Sequence, residues 1–270
     1  WTLTPIYSKN TNNVSSTSNQ EYTYQNFLAG NAYINGKPVN AVYAWEFTGI
    51  DPKTGYATFK GTSKNKDDVK VSEDPTSYLK YIGPADPTFN GGLQTSLRWK
   101  NLTLSAQFAF GFGNYKRLNF IFQGANKMPA PQTNLTKDFL HRWKQEGDIT
   151  DIPGFVFGSD ANAYSVYTPV PNGTTSLPTQ LNTYDMYNYS DARIVKGDFF
   201  RCRNMSLTYA VPFSFIQKFK ITSLSFGLNV TNPFTIASSK LHGQDPEIDN
   251  TGSVALPITQ SYSFSLNVSF

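Results

Sequence analysis

The stretch that decides the fold is Thr259-Gln260-Ser261-Tyr262-Ser263-Phe264-Ser265-Leu266-Asn267-Val268-Ser269-Phe270. From Tyr262 to Phe270 every second residue is apolar, and only Ser and Asn stand between them. Successive side chains of a strand point to opposite faces, so one face is apolar and the other is small and polar. A soluble sheet would usually carry some Lys or Glu on its polar face. Transmembrane barrels alternate apolar-out and polar-in in this way, and the pattern therefore favours a barrel strand over a strand of a soluble β-domain.

The composition of the 270 residues agrees with a sheet that has one lipid face and one wet face. Aromatic residues make up 15% and charged residues only 16%, and the mean hydropathy is -0.40. No run of 18 apolar residues occurs in the sequence, which argues against a transmembrane helix. The net charge of +4 is too small to indicate a nucleic-acid partner.

The residues that usually carry catalysis or bind metals are scarce. Cys202 is the single cysteine, so no internal disulfide is possible, and His141 and His242 are far apart in the sequence. Asp148 and Asp151 could form a carboxylate pair, but no second element sets their distance. We therefore expect no cofactor and no enzymatic activity.

The clearest hairpin lies in the middle of the chain. Alternating apolar residues from Leu93 to Trp99 are followed by a tight turn at Lys100-Asn101 and by a second alternating run from Leu102 to Phe112. The second run has about eleven residues, which is the length that spans a membrane when the strand is tilted. Trp99 stands beside the turn, where an interfacial aromatic residue belongs. In a membrane barrel the short turn would lie on the periplasmic side. The opposite ends of the two strands would lead into longer extracellular loops.

The rest of the chain predicts further strands joined by loops. Residues 1–7 read as the tail of a strand already in progress, which indicates the C-terminal part of a longer protein. Further strands are expected at residues 40–47, 56–59, 205–211 and 224–231, with a loop from 232 to 257. Residues 8–32 predict a loop or hairpin, and 114–192 a long irregular excursion. That excursion contains one short helix, from Thr136 as a possible cap to about residue 145.

Six stretches, taken in order, resemble one family. They are residues 43–59, 83–92 running into the hairpin, 142–143 with 151–153, 197–212, 229–234 with 245–247, and Phe270. Together they resemble the C-terminal region of SusC/RagA-type TonB-dependent outer-membrane transporters of Bacteroidota. A last strand that ends in Phe also resembles the C-terminal assembly signal of outer-membrane barrels.

This resemblance implies an all-β fold in which residues 1–270 are the last several antiparallel strands of a transmembrane barrel of about 22, with a plugged lumen. The plug domain and the N-terminal strands would lie outside this sequence. The resemblance also implies a bacterial outer-membrane location and import of oligosaccharides or peptides, energised through TonB. The implied partners are a SusD-like surface lipoprotein acting as a lid, TonB through the N-terminal part, outer-membrane lipid, and the remainder of the barrel.

Two groups of residues are candidate sites. Oxygen ligands for a calcium ion could come from Asp245, Glu247, Asp249 and Asn250, although the glycine of a dedicated calcium loop is missing. The second group could stack on sugar rings or contact a partner, and it consists of Tyr184, Tyr187 and Tyr189 with Asp185 and Asp191. Packing beneath a loop or against the partner lipoprotein is the alternative for the tyrosines.

Four basic residues are expected near strand ends: Arg98, Lys100, Arg201 and Arg203. Long basic side chains there can reach lipid headgroups, and salt bridging inside the lumen is the alternative.

Two other readings of the whole chain stay open. In one, the same barrel is a scaffold or accessory subunit of an outer-membrane assembly or secretion complex. In the other, the chain is a soluble secreted β-sandwich that would fold without detergent.

Overall fold

The computed structural model describes residues 1–17, 21–122, 134–155, 164–173, 175–248 and 255–270. Its strands are β1 (Thr2–Lys9), β2 (Ala41–Trp45), β3 (Phe47–Ile50), β4 (Ala57–Phe59), β5 (Leu79–Pro84), β6 (Phe89–Trp99), β7 (Leu102–Phe112), β8 (Tyr115–Arg117), β9 (Ser165–Asn172), β10 (Thr175–Asn182), β11 (Ile194–Lys196), β12 (Phe199–Ala210), β13 (Ser223–Ala237) and β14 (Ser261–Ser269). Its α-helices are α1 (Tyr24–Leu28), α2 (Thr183–Asn188) and α3 (Phe213–Ile216). Short 3-10 helices lie at Lys66–Asp68, Pro75–Ser77, Lys137–His141, Asp191–Arg193, Gln217–Phe219 and Ser239–Leu241. Within these ranges, no helix combines the length and the apolar character needed to cross a membrane.

The largest sheet has six antiparallel strands in the order β1-β6-β7-β12-β13-β14. The strands are 8 to 15 residues long, and the sheet is open, with β1 and β14 at its edges in the described part of the chain. The all-β, antiparallel fold class predicted from the sequence is confirmed. The hairpin prediction is confirmed as well, because β6 and β7 flank Lys100-Asn101 and Trp99 pairs with Leu102.

The pairing registers align residues of like character across the sheet. One row runs through Leu97, Leu104, Leu207, Leu228 and Phe264, each paired with the next across five strands. Paired residues project to the same face of a sheet. Because Leu207 is 38% exposed and Phe264 is 83% exposed, this face is not covered by protein in the described chain. We call it the outer face.

The next row shows the opposite character. It runs through Ser96, Ser105, Ser206, Asn229 and Ser263, in the same strands and one position away. The hydroxyl oxygens of Ser96 and Ser105 lie 3.1 Å apart and form a hydrogen bond. We call this the inner face. Each side chain of the row can form hydrogen bonds with water or with its neighbours in the row.

A cluster of aromatic residues on the outer face lies at the end of the sheet away from the β6–β7 turn. The ring of Phe108 is 5.2 Å from that of Phe200 and 6.4 Å from that of Phe234. Phe108 and Phe110 are half-buried by such neighbours on the sheet itself. Neither residue lies inside a closed hydrophobic core, as a soluble sandwich would require.

The hydrophobic core lies in the loops. Residues 10–88, 113–198 and 238–260, in their described parts, form a loop assembly at the non-turn end of the sheet. Its core includes Phe27, Trp45, Phe122 and Tyr187. Four two-stranded sheets support it: β2-β5, β3-β4, β8-β11 and β9-β10.

The loops contain more regular structure than the sequence pattern predicted. Residues 8–32 include helix α1. Thr23 caps its N-terminus and forms a reciprocal capping box with Asn26. The helix predicted after Thr136 is present but shorter than expected: it is a 3-10 helix at Lys137–His141, and Thr136 occupies the N-cap position without a side-chain capping bond. The carboxylate of Asp148 accepts from the backbone N–H groups of Lys144 and Gln145 and so competes with a continuing helix.

Strand β13 is longer than predicted. The sequence predicted a loop from Asn232 to Pro257. In the structure Asn232 takes a left-handed φ of 52°, and the register with β12 shifts between Cys202 and Asn204. Pro233 falls within this irregularity, where its missing N–H costs no ladder bond. Pairing resumes at Phe234 and continues to Ala237.

Candidate functional site

A cavity of about 850 Å³ lies where the loop assembly meets the sheet. The end of α1, the start of β2, the segment after β5, and β8 form most of its wall, and Tyr189, Phe199 and Glu247 complete it. The volume is within the range of small-molecule sites, which is about 300–1,000 Å³. It is therefore a candidate site for contact with a ligand.

Polar groups of the cavity wall come from three loops. The side-chain amide of Asn40 donates to Asp86 over 2.6 Å. Asn114 is 2% exposed and its carboxamide oxygen has no hydrogen-bond partner in the described structure. Gly197 is needed here because a Cβ at that position would come 2.5 Å from the amide nitrogen of Asn114. The wall is therefore rich in amide groups.

Arg117 supplies a positive charge to the same wall. Its guanidinium donates to the carbonyl oxygens of Tyr43 over 3.0 Å and of Asn188 over 3.4 Å, and it lies 4.9 Å from the ring centre of Tyr189. Burial lowers the pKa of Arg117 to about 10, so the group stays charged at neutral pH. Among the described residues, no carboxylate forms an ion pair with it.

An ion-pair cluster borders the cavity on the inner face. Arg201 is 1% exposed, and its guanidinium lies 2.5 Å from the carboxylates of Asp245 and Glu247. Arg203 has no partner residue on the neighbouring strands because the register shifts there, and its guanidinium also contacts Glu247. The cluster ties the loop after β13 to strand β12.

Asp245 is the most heavily bonded carboxylate of this cluster. It also accepts from the backbone N–H groups of Glu247 over 3.0 Å and of Ile258 over 3.1 Å. Burial by itself raises the pKa of Asp245, but the hydrogen bonds from Arg201 and from these two amides outweigh burial. The pKa of Asp245 therefore lies below its ordinary value of 3.8.

The calcium candidates are thus placed in ion pairs. Asp245 and Glu247 lie together, but guanidinium groups occupy their carboxylates, and Asp249 and Asn250 lie outside the described residues. The described residues contain no group of three or more side chains that could hold a metal ion. The calcium site stays a prediction, and these contacts favour a structural role for both carboxylates.

The tyrosine candidates separate into two groups. Tyr184 and Tyr187 are in the core of the loop assembly, with the hydroxyl of Tyr184 donating to the carbonyl of Gly154 over 2.8 Å. Their placement fits the alternative of packing beneath a loop. Tyr189 is half-buried and lines the cavity, whereas Asp185 is exposed. Stacking on a ligand stays a prediction, and of the three rings only Tyr189 is positioned for it.

The other predicted polar residues have structural contacts. Asp191 accepts from the backbone N–H of Phe47 over 2.9 Å and pairs with Lys80 over 2.8 Å. For Arg201 and Arg203 the salt-bridge alternative describes what the structure shows. Arg98 is exposed on the inner face, and the amino group of Lys100 lies 5.3 Å from the ring centre of Trp99.

Sequence reasoning did not single out Arg117 or Asn114. Both follow directly after β7, in Asn114-Tyr115-Lys116-Arg117. The only available signal was a basic pair placed immediately after a long aromatic strand. Nothing in the pattern shows that Arg117 meets Tyr189, which is 72 residues further along the chain.

Comparisons with known proteins agree with the resemblance stated from the motifs. No protein-family model matches the chain. The chain is 23% identical to TonB-dependent receptor P3 of Formosa agariphila over 221 residues, which is 78% of this chain and 19% of that protein.

Solved structures show the same likeness. A chain of the RagAB peptide transporter has 24% identity and a TM-score of 0.59 over 88% of this chain and 23% of its own length. For the RagAB peptide importer the TM-score is 0.59 in the closed-closed state and 0.56 in the open-open state, both at 24% identity, with 88% and 84% of this chain covered and 24% and 22% of the importer chains. The resemblance predicted from the motifs is confirmed at the level of fold, and the chain spans a quarter or less of each of these proteins.

Proposed function

We propose that residues 1–270 are the C-terminal part of the barrel of a SusC/RagA-type active importer in a bacterial outer membrane. Its cargo would be large polar nutrients, peptides or oligosaccharides, and TonB would supply the energy. The observation that carries the proposal is the pair of neighbouring rows across the main sheet. One row is Leu and Phe on an uncovered face, and the other is Ser and Asn on the opposite face.

The outer face supports contact with hydrocarbon. Soluble monomers rarely expose contiguous apolar patches larger than a few hundred Å², yet large apolar side chains are exposed on successive strands here. Antiparallel strands satisfy one another's backbone groups and can cross a bilayer once the sheet closes. The open edges at β1 and β14 fit this reading, since the remainder of the barrel would pair there.

The inner face supports a water-lined interior. Small hydroxyl and amide side chains accept water or one another, and they leave room inside a wide barrel. The ion pairs of Arg201 also belong on this face. A charged cluster on the opposite, apolar face would meet lipid without water.

The loop assembly and its cavity support cargo handling at the extracellular end. Arg117, Asn40 and Asp86 offer both donors and acceptors in the cavity wall, and Tyr189 offers an aromatic ring. Polar, neutral or zwitterionic ligands such as peptides and sugars match that mixture. The RagAB relatives, described as peptide transporters and importers, favour peptides, and a SusD-like lipoprotein would cover the loops as a lid.

The membrane assignment is tested by single cysteines at neighbouring positions. In the full-length protein with Cys202 and any other native cysteine replaced by Ser, Leu228→Cys should react only with a lipid-soluble thiol reagent in native membranes. Asn229→Cys, one residue away on the inner face, should react with a small water-soluble reagent. Equal reaction of both positions with the water-soluble reagent would rule out a lipid-facing outer face.

The transport assignment needs a separate test. Cells that depend on this protein for a peptide or oligosaccharide nutrient should stop growing on it when TonB is deleted and should keep growing on a porin-permeable monomer. Growth that is independent of TonB would favour the accessory or scaffold role of the same barrel.

A further inference from the structure

Two polar groups in the wall of the cavity of about 850 Å³ lack complementary partners in the described chain. Asn114 is 2% exposed, and no group of the described structure donates to its carboxamide oxygen. Arg117 carries a charged guanidinium, and no carboxylate of the described residues forms an ion pair with it. Buried polar groups are normally hydrogen-bonded, and buried charges are normally paired. A ligand that combines an N–H donor with a negative charge would complement both groups.

The carboxamide of Asn114 is held so that its oxygen is the group without a partner. Its amide nitrogen lies against Gly197, where a Cβ would come 2.5 Å from that nitrogen. The backbone N–H of Gly197 donates to the backbone carbonyl of Asn114 over 2.9 Å, which fixes the two residues against each other. An amide oxygen accepts hydrogen bonds and does not donate them. The ligand group that complements it is therefore a donor.

The guanidinium of Arg117 is oriented by contacts that leave part of it available. It donates to the backbone carbonyls of Asn188 and Tyr43, and it lies 4.9 Å from the ring centre of Tyr189. A guanidinium carries five N–H donors in a planar fork that matches the geometry of a carboxylate. Because the two carbonyls use only part of the fork, donors remain for an anion.

The rest of the wall narrows the class of ligand. Phe27, Val42 and Phe199 line the cavity and suit an apolar side chain. The carboxylate of Asp86 is exposed in the same wall and would repel a second anionic group. In the C-terminal residue of a peptide, a carboxylate, an N–H and a side chain are attached to one α-carbon. Such a residue brings a single negative charge with a donor beside it, whereas a neutral sugar brings no charge for Arg117.

We propose that the cavity binds the C-terminal residue of a peptide, with its carboxylate on Arg117 and its N–H on the carboxamide oxygen of Asn114. The proposal rests on the import function proposed for the barrel. It adds the class of cargo, the end of the cargo that this chain recognises, and the two residues that bind that end.

The recognised end is tested by competition on the full-length protein purified in detergent. The probe is an equimolar mixture of one random pentapeptide library in its free-acid form and in its C-terminally amidated form. After equilibrium dialysis, the bound peptides are quantified by mass spectrometry. The free acids should be bound about tenfold more than the amides, because amidation removes the charge-assisted hydrogen bonds to the guanidinium. Acetylation of the N-terminus of both forms should leave this ratio unchanged.

Substitutions of the two residues should affect this ratio differently. Arg117→Gln should remove the preference and bring the ratio to about one. Asn114→Ala should weaken binding of both forms and leave the ratio unchanged, because both forms carry the N–H. The matched control is Arg142→Gln, since Arg142 also donates to a carbonyl, that of Phe139, and lies 5.0 Å from the ring centre of Phe155, but does not line the cavity. It should leave binding and ratio unchanged.

Arg117→Lys covers the case in which the Gln variant does not fold, because it keeps the positive charge and loses the planar fork. It should prefer free acids less than the wild type does. Equal binding of free acids and amides by the wild type would overturn the proposal, and so would an unchanged ratio in the folded Arg117 variants. If neither form is bound by a protein whose nutrient uptake depends on TonB, the import function stands and the peptide proposal is overturned. A preference for free acids in a protein whose uptake does not depend on TonB would support the binding and count against the import function.

Discussion

At the scale of single residues, the buried ion pairs of Arg201 decide how the loop after β13 is held. Arg201 reaches Asp245 and Glu247 from a strand that carries Ser and Thr further along its inner face. Burying a charge is unfavourable unless it is paired and hydrogen-bonded. The cluster meets that condition, since the side chain of Asp245 is 4% exposed and accepts three hydrogen bonds.

Removing Arg201 should therefore destabilise the loop strongly. Arg201→Met keeps the volume but leaves Asp245 as an uncompensated buried charge, at a loss of about 3–5 kcal/mol. Protease cleavage rates in residues 238–248 of the purified protein measure this loss. The matched control Arg203→Met removes a side chain that is 41% exposed and should cost less than about 1 kcal/mol. Equal effects of the two variants would contradict this account.

The same carboxylate makes a prediction about pH. The pKa of Asp245 in the folded state lies below its ordinary value of 3.8. The ionised carboxylate therefore contributes fully to folded-state stability above pH 3.8, and this contribution is lost as the pH falls through the folded-state pKa. Asp245→Asn lacks this titration. The difference in Tm between wild type and Asp245→Asn should be constant near neutral pH and shrink below pH 3.8. A difference that grows on acidification would show that the sign is wrong.

At the scale of elements, strand β13 continues beyond its predicted end because one residue, Asn232, adopts a left-handed backbone conformation. Asn232 adopts φ 52°, a region open to Asn and Gly and costly for branched residues. The register then skips to Phe234, and the strand gains its last residues up to Ala237. These residues pair with the start of β12 and so position Arg201 beside the loops.

Substitution at Asn232 should reveal this requirement. Asn232→Val forces a β-branched residue into a left-handed conformation and should cost about 1–3 kcal/mol. Asn232→Gly loses the same side-chain hydrogen bond to Thr259 but adopts the conformation freely, so it should cost less. Urea unfolding followed by tryptophan fluorescence compares the two. If Val is tolerated as well as Gly, the backbone argument is incorrect.

At the scale of the whole molecule, two environments meet along each strand of the main sheet. The hydrophobic core is in the loop assembly, and the sheet keeps its apolar residues on an uncovered face. A soluble β-sandwich would place its core between two sheets. The molecule is thus divided between the main sheet, whose apolar face is uncovered in the described chain, and the loop assembly, which carries its own packed interior.

Charge placed on the two faces should have unequal effects. Leu207→Arg puts a guanidinium on the outer face and should destabilise the inserted protein by about 2–4 kcal/mol near the bilayer midplane. Ser206→Arg, the adjacent residue on the inner face, should be much milder because water reaches it. The folded fraction in phospholipid vesicles across a urea series measures both. Similar losses for the two variants would mean that the faces do not differ in their surroundings.

The local sequence pattern predicted most of the main sheet, because apolar and polar residues alternate along each strand independently of its neighbours. Leu102 to Phe112 and Ser261 to Ser269 were readable without knowing their partners. The loop helix ends at His141, earlier than predicted, and the Asp148 carboxylate accepts hydrogen bonds from the backbone N–H groups of Lys144 and Gln145 in the segment where the helix was expected to continue. Tyr184 and Tyr187 could not be told from surface platforms, because burial depends on Phe122 and Phe139, which are distant in the sequence.

The sequence by itself determined the class of fold, since alternation between Leu or Phe and Ser or Asn fixes which side of a strand can face lipid. It also determined that the turn at Lys100-Asn101 would be tight. Tertiary structure alone decided the cavity and the ion-pair cluster, because Arg117, Arg201 and Asp245 come from segments separated by many residues. Their contacts depend on register shifts and on loop packing, and neither of these produces a periodic pattern in the amino-acid sequence.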